Sequence, residues 1–320
     1  MYMGDFMEEK AYLLVHYKSP NARIEEQVHF AVSRDGYQWE AVNGGAPVFI
    51  ADKGERGVRD PSIIRTQDNH FVILGTDLCM SENFEKKYQK QWANMGRYGS
   101  RSISMWKSED LIHWSGQRLV QLCDENFGCC WGPDVLYNAH TGKYMVYWAS
   151  SHSSNDYGAK SIYYAETADF ESFGEVKFLC AKEDASVVDP QIHQVGGTYF
   201  RFLKSRSNPF AVILEKGKTI DGAYERVRGF DEWMGRLTAN EYEAPSMYQL
   251  PDGQWCLLLD YFGEKRKCKG YVPFIATDFE NGVFEEASDR FSFPYGMKHG
   301  SVLEITAEEY ERIRDYWTWV

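Results

Sequence analysis

Three acids in this chain stand beside prolines in settings that could move protons. They read Arg59-Asp60-Pro61-Ser62-Ile63, Val188-Asp189-Pro190-Gln191-Ile192 and Glu243-Ala244-Pro245-Ser246-Met247. Two related motifs join them, Gly132-Pro133-Asp134-Val135 and His299-Gly300-Ser301-Val302. Cleavage of a glycosidic bond needs one carboxyl group as acid at the leaving oxygen and a second carboxylate to activate water or attack directly. A third carboxylate nearby can raise the pKa of the acid by like-charge repulsion and help to orient it. A single Asp-Pro is ordinarily a turn signal. The five motifs share a context and recur at near-regular spacing, which isolated turns do not. Other chemistries lack their signatures. The eight histidines are scattered without a His-Glu-x-x-His, and there is no Gly-x-Ser-x-Gly elbow and no phosphate loop.

The elements that must position these residues repeat as well. Each motif heads a short β-like run, so a ring of five sheets would bring all five to one pocket. A second element interleaves with the first: a strand, a turn and an aromatic. It runs over 29–39, 103–114 and 162–173, with weaker copies over 210–224 and 274–284. Self-similarity at a period of ~40–50 residues is the mark of propeller blades. Alternation bounded by Gly, Asp and Asn favours strands over helices. One copy of the second element precedes Asp60, and one inner motif, at His299, follows the last copy. The expectation is therefore an all-β, five-bladed β-propeller forming a single domain over residues 1–320. Its N-terminal strands would share a blade with a strand from about Ser301, which closes the ring and removes open edges. Thr306-Ala307-Glu308-Glu309 has the form of a capping box opening a short C-terminal helix through about Tyr316. The polar and aromatic stretch 82–98 reads as a long loop or short helix on a rim.

Composition narrows the partners. The chain has 320 residues and a net charge of −12, and nucleic-acid binding would need a basic face. No apolar run approaches the ~20 residues that span a bilayer. Aromatics make up 16% of residues, which suits both stacked sheets and sugar platforms. The first ten residues lack the basic and apolar regions of a signal peptide. Seven cysteines, with no Cys-x-x-Cys and no Asn-x-Ser/Thr sequon, read as reduced thiols in a cytoplasmic protein.

Taken together, the Arg-Asp-Pro-Ser-Ile, Trp131-Gly132-Pro133-Asp134, Val-Asp-Pro and Glu-Ala-Pro segments resemble glycoside hydrolase family 43. That family holds arabinofuranosidases, β-xylosidases and endo-arabinanases on a five-bladed β-propeller. The resemblance runs over nearly the whole chain to Lys298-His299-Gly300-Ser301, and it departs from the family in Gly132 and Ala244. It implies that Asp60 is the general base, Glu243 the general acid and Asp189 the residue that tunes the acid. It implies inversion at the anomeric carbon and an arabinose- or xylose-containing oligosaccharide as substrate. Asp134 is assigned to the pocket wall or strand head rather than to proton transfer. His299 is similar to an axial histidine that in some members contacts a calcium ion or an ordered water; the alternative is a buried histidine satisfied by hydrogen bonds. No cofactor is required, and calcium is left open.

Secondary candidates have plainer alternatives. Trp131 could stack on a sugar or pack between blades. Thr76 and Asp77 end the strand after Asp60 and are expected to line the pocket. Lys204 and Arg206 could bind hydroxyls or form a solvated pair, and Asp260 reads as a turn residue. Three rival functions remain: an endo-arabinanase, a fructan hydrolase or glycoside phosphorylase on a related propeller, and a non-catalytic sugar-binding propeller. No Asn-Asp-Pro-Asn occurs near the start and Glu243 is not followed by Cys, which tells against the fructan group. Lys204 and Arg206 are the only hint of a phosphate site. Oligomeric state is not legible in the chain.

Overall fold

Runs such as Phe71–Asp77 and Trp255–Tyr261 are rich in β-branched, aromatic and aliphatic residues and are buried along nearly their whole length. Such runs form strands sandwiched between neighbouring sheets. The computed structural model describes residues 10–18, 22–183, 185–205, 212–237, 241–264 and 270–318. Within them the strands are β1 (Lys10–His16), β2 (His29–Ser33), β3 (Glu40–Ala41), β4 (Val58–Arg65), β5 (Phe71–Asp77), β6 (Ser102–Ser108), β7 (Arg118–Gln121), β8 (Trp131–Asn138), β9 (Lys143–Ser150) and β10 (Ser161–Thr167). They continue as β11 (Lys177–Cys180), β12 (Val187–Val195), β13 (Thr198–Ser205), β14 (Val212–Gly217), β15 (Tyr224–Arg226), β16 (Tyr242–Gln249), β17 (Trp255–Tyr261), β18 (Gly270–Asp278), β19 (Val283–Glu286) and β20 (Gly300–Thr306). Short helices α1 (Met80–Lys86), α2 (Trp92–Arg97) and α3 (Arg228–Met234) sit in connections, and α4 (Ala307–Thr318) ends the chain.

These strands form five antiparallel four-stranded sheets, each a blade: β4 to β7, β8 to β11, β12 to β15, β16 to β19, and a fifth in the order β20, β1, β2, β3. The fold is thus a five-bladed β-propeller. The fifth blade closes the ring as expected, with β20 pairing β1 from His16 opposite Gly300 to Lys10 opposite Thr306. Gly300 is required there. A Cβ on it would meet the Val15 carbonyl oxygen at 1.9 Å, which is backbone and cannot move aside. The outermost strands are only two to four residues long, which protects the edges. The core lies between blades. Phe200, Phe202, Leu257 and Phe274 fill one such layer without exposure. Each buried side chain of this size stabilises the fold by roughly 1.5–3 kcal/mol.

The repeated strand-turn-aromatic element forms the third strand of its blade and the turn into the fourth, not the outermost strand itself. Its turns are alike. Tyr37 and Gln38 N–H donate to Asp35 Oδ1, Ile112 and His113 N–H to Asp110 Oδ1, and Glu171 and Ser172 N–H to Asp169 Oδ1. The capping box is formed too. Glu309 N–H donates to Thr306 Oγ1 at 3.1 Å and Thr306 N–H to Glu309 Oε2 at 2.8 Å.

Candidate active site

The first strands of the blades surround the axis, and four of them carry the same irregularity at their heads. Pairing slips between Arg59 and Ser62, Trp131 and Asp134, Val188 and Gln191, and Glu243 and Ser246. Each bulge holds one left-handed residue before a proline: Asp60 (φ 50°), Gly132 (φ 55°), Asp189 (φ 52°) and Ala244 (φ 51°). Bulges re-aim side chains next to active sites, and left-handed non-glycine residues are a strain that clusters there. Just past each of three bulges, a backbone N–H is taken by a neighbouring blade. Ile63 donates to Ser301 Oγ (2.9 Å), Ile192 to Tyr147 Oη (3.0 Å) and Met247 to Gln191 Oε1 (2.8 Å).

This backbone register corrects the equivalence suggested by charge alone. Asp60 and Asp189 occupy one place, shared with Gly132 and Ala244. Glu243 stands one residue earlier, at the place of Arg59, Trp131 and Val188. Asp134 stands two later, with Ser62, Gln191 and Ser246. Ala244 and Gly132 are therefore the bulge residues of their strands, and at Gly132 the left-handed backbone favours glycine.

His299 joins the first two acids. Its Nδ1 lies 3.1 Å from Asp60 Oδ1 and 3.9 Å from Asp189 Oδ1. Thr76 Oγ1 donates to Asp60 Oδ2 at 2.9 Å and accepts from Gly132 N–H at 2.8 Å. Asp189 Oδ2 accepts from Ala244 N–H at 3.2 Å, which ties it to the strand of Glu243. Burial raises the Asp60 carboxyl, but the charge and hydrogen bond of His299, with Arg59 and Thr76, hold it below the usual carboxylate range. Burial lowers His299, but Asp60, Asp189 and Asp260 raise it to about 9, so it is a cation at neutral pH. Glu243 is driven the other way. Burial, then Asp189 and Asp260, push it up to about 8. Burial also raises Asp189, against His299, and Asp60 adds to the rise. One mouth thus holds an ionised aspartate and a protonated glutamate at neutral pH, the division of labour that acid–base catalysis needs.

The other expected residues sort by which way the backbone turns them. Asp134 is pushed by burial up to about 7, against the Val135 N–H (2.8 Å) and the Tyr147 hydroxyl (3.2 Å). Trp131 is half-buried, with the Lys160 ammonium 4.5 Å from its ring centroid and Leu78, Tyr88 and Met95 packed against it. Asp77 does not share the face of Thr76, because successive strand residues point opposite ways. Its oxygens accept from Glu55 N–H (2.7 Å) and Ser100 Oγ (2.6 Å), so it braces the rim rather than lining the pocket. Lys204 is buried, not a solvated pair, and donates to the Tyr242 carbonyl at 2.6 Å. Arg206 lies outside the described residues. Asp260 is no turn residue: it sits within β17, 1% exposed, opposite Glu243, with Oδ1 2.7 Å from the Lys298 ammonium.

Arg59 and Tyr17 were given no role by sequence reasoning. Arg59 Nη2 donates to Tyr17 Oη at 2.5 Å, and Nη1 lies 3.5 Å from the fully buried Glu26. Arg59 acts electrostatically on Asp60 and Glu243, and Tyr17 lies among Asp60, Asp260 and Glu243. The signal was present in Arg59 itself, a cation at a bulge beside an acid. Among the described residues no three His, Cys, Asp or Glu side chains are arranged to hold a metal ion. A cleft of about 1170 Å³ lies at the far end of the strands, lined by Lys10, Arg34, Arg65, Glu304 and Glu309, and contains none of these acids. Among the described residues no helix is long and apolar enough to cross a membrane.

Fold and site together define a class: a five-bladed propeller whose inner strands gather acids at one end. Within it, residues 8–311 match the model of the family 43-related "probable glycosyl hydrolase domain", and the chain belongs to that family. It is 26% identical over 296 residues to an α-L-arabinofuranosidase of Bifidobacterium longum subsp. longum, a match over 85% of this chain. The chain spans 26% of the length of that relative. Solved structures share the architecture at low identity. A thermostable family 43 glycoside hydrolase superimposes with a TM-score of 0.59 at 14% identity, over 90% of this chain and 93% of the other. A family 43 protein of Bacillus licheniformis gives 0.57 at 14%, over 92% and 55%. An exo-β-1,3-galactanase of Phanerochaete chrysosporium gives 0.58 at 14%, over 90% and 61%.

Proposed function

We propose that this protein is an inverting glycoside hydrolase acting on arabinose- or xylose-containing oligosaccharides, with α-L-arabinofuranosidase activity ahead of β-xylosidase. Asp60 is the general base: its carboxylate takes a proton from water as the oxygen attacks the anomeric carbon. Glu243 is the general acid: its proton goes to the leaving oxygen as the glycosidic bond breaks. Asp189 keeps that proton in place by its charge and fixes the Glu243 strand through the Ala244 N–H. His299 holds Asp60 ionised and aimed. A water must fit between base and acid, with carboxyl groups ~6.5–9.5 Å apart.

The observation that carries this reading is the gathering of Asp60, Asp189 and His299 at the heads of the inner strands beside Glu243, where Asp60 is held low and Glu243 is pushed up. The family membership supports the reaction class, and the Bifidobacterium relative supports arabinose. Six described cysteines, all free and buried, support a reducing, cytoplasmic setting. The test is hydrolysis of aryl α-L-arabinofuranoside and aryl β-D-xyloside by wild type, Asp60→Asn and Glu243→Gln. Turnover of either that disappears in Asp60→Asn is the expected result. Turnover undiminished in both variants would overturn the assignment.

A further inference from the structure

A fourth carboxylate faces the acid, and the reading above gives it no task. Asp260 stands directly across the β16–β17 pair from Glu243. Residues directly opposite on antiparallel strands project from the same face, and like charges there are unfavourable. Asp260 is 1% exposed, and its Oδ2 has no hydrogen-bond partner among the described residues. Its Oδ1 is held by Lys298 at 2.7 Å. Lys298 is joined by one peptide bond to His299, which lies 3.1 Å from Asp60. One short segment thus delivers a cation to the carboxylate beside the acid and a cation to the base. A buried acid with a free oxygen costs the fold stability, so a structural role alone gives no reason for it.

Resting on the proposed reaction, we propose that Asp260, held by Lys298, is a positioning residue that keeps the Glu243 proton on its carboxyl until the leaving oxygen takes it. The charged and titratable groups around Glu243 are Arg59 and Asp60 on β4, Tyr17 after β1, Asp189 on β12, Lys204 on β13, Asp260 on β17, and Lys298 and His299 before β20. Of these, Asp189 and Asp260 disfavour the glutamate anion, and Lys204 and Arg59 favour it. The Asp260–Lys298 pair adjoins the base as well, because Asp260 raises His299, so the acidic limb is followed beside the basic one.

The experiment is the pH profile of kcat/KM on an arabino- or xylo-oligosaccharide, whose poor leaving group needs the acid, and on a nitrophenyl glycoside, which needs it less. Asp260→Asn leaves the Lys298 charge near Glu243 and moves the basic limb down by about one pH unit on the oligosaccharide. Lys298→Gln removes the main cation that opposes the burial of Asp260, so Asp260 takes up a proton and the same limb moves down. Lys298→Arg keeps the pair and keeps the wild-type profile. A downward shift in both Asp260→Asn and Lys298→Gln, absent in Lys298→Arg, is the decisive result, because loosened packing would lower turnover without moving the limb. Folding is checked by circular dichroism, and if Asp260→Asn does not fold, the downward shift in Lys298→Gln is read alone. A basic limb that stays at its wild-type pH in a folded variant overturns the proposal. Wild type inactive on every glycoside would instead overturn the parent reading.

Discussion

The two ends of the propeller use the same residue type for opposite ends. At the far end, Asp35, Asp110 and Asp169 each accept two backbone N–H groups in a strand-connecting turn. Hydrogen bonds from Glu171 and Ser172 N–H hold Asp169 below the ordinary range, so it has one protonation state through the useful pH range. At the mouth, Asp60, Asp189 and Glu243 stand at or beside bulges, and His299 bridges the first two. There burial and neighbouring charges pull their pKa values apart. An aspartate becomes structural where backbone donors surround it and chemical where other side chains do.

That contrast can be broken at either end. The largest effect belongs to the mouth. Asp60→Asn should lower kcat/KM by about 10²–10⁴-fold, within the range for a lost general base, with the melting temperature little changed. Glu243→Gln should do the same on an oligosaccharide but less on an activated aryl glycoside, a difference read in parallel assays. Asp189→Asn removes the largest charge that raises Glu243. It should move the basic limb of activity down; a fall of about one unit roughly halves turnover at neutral pH and costs nearly tenfold about two units higher, on the limb itself.

Changes away from the mouth should affect stability and spare chemistry. Gly300→Ala forces a Cβ into the Val15 carbonyl and should destabilise the closing blade by about 1–3 kcal/mol in denaturant unfolding. Thr306→Ala removes the α4 cap and should cost about 1 kcal/mol by the same measurement. The smallest effect is expected at the far-end turns. Asp110→Ala should cost about 1 kcal/mol or less and leave kcat/KM as it is.

Much of this was legible in the chain because propeller signals are local and repeated. Each bulge is written as a residue before a proline, and Asp60 and Asp189 are themselves the bulge residues. Closure of the ring followed from the order of two interleaved elements. Glu243 was reached with them by its proline motif and spacing, although it stands one residue before the bulge; its role as the acid came from the resemblance. Asp260 and Lys298 were not legible. Asp260 read as a turn residue and Lys298 only as the neighbour of His299, because their importance depends on which residue pairs across β16 and β17. Asp77 was misjudged beside Thr76, although strand alternation alone sets the two on opposite faces.

The measurement that most directly tests the account is the pH dependence of kcat/KM for wild type on an arabino-oligosaccharide. Asp60 must be ionised, and its pKa is lowered, so activity should persist to acid pH and fall only below the ordinary aspartate range. Glu243 must be protonated, and its pKa is raised, so activity should be lost as pH rises through about 8. A bell with those limbs, its basic limb brought lower in Asp189→Asn, is the predicted result. A basic limb near the ordinary glutamate value, or one that Asp189→Asn does not move, would contradict it.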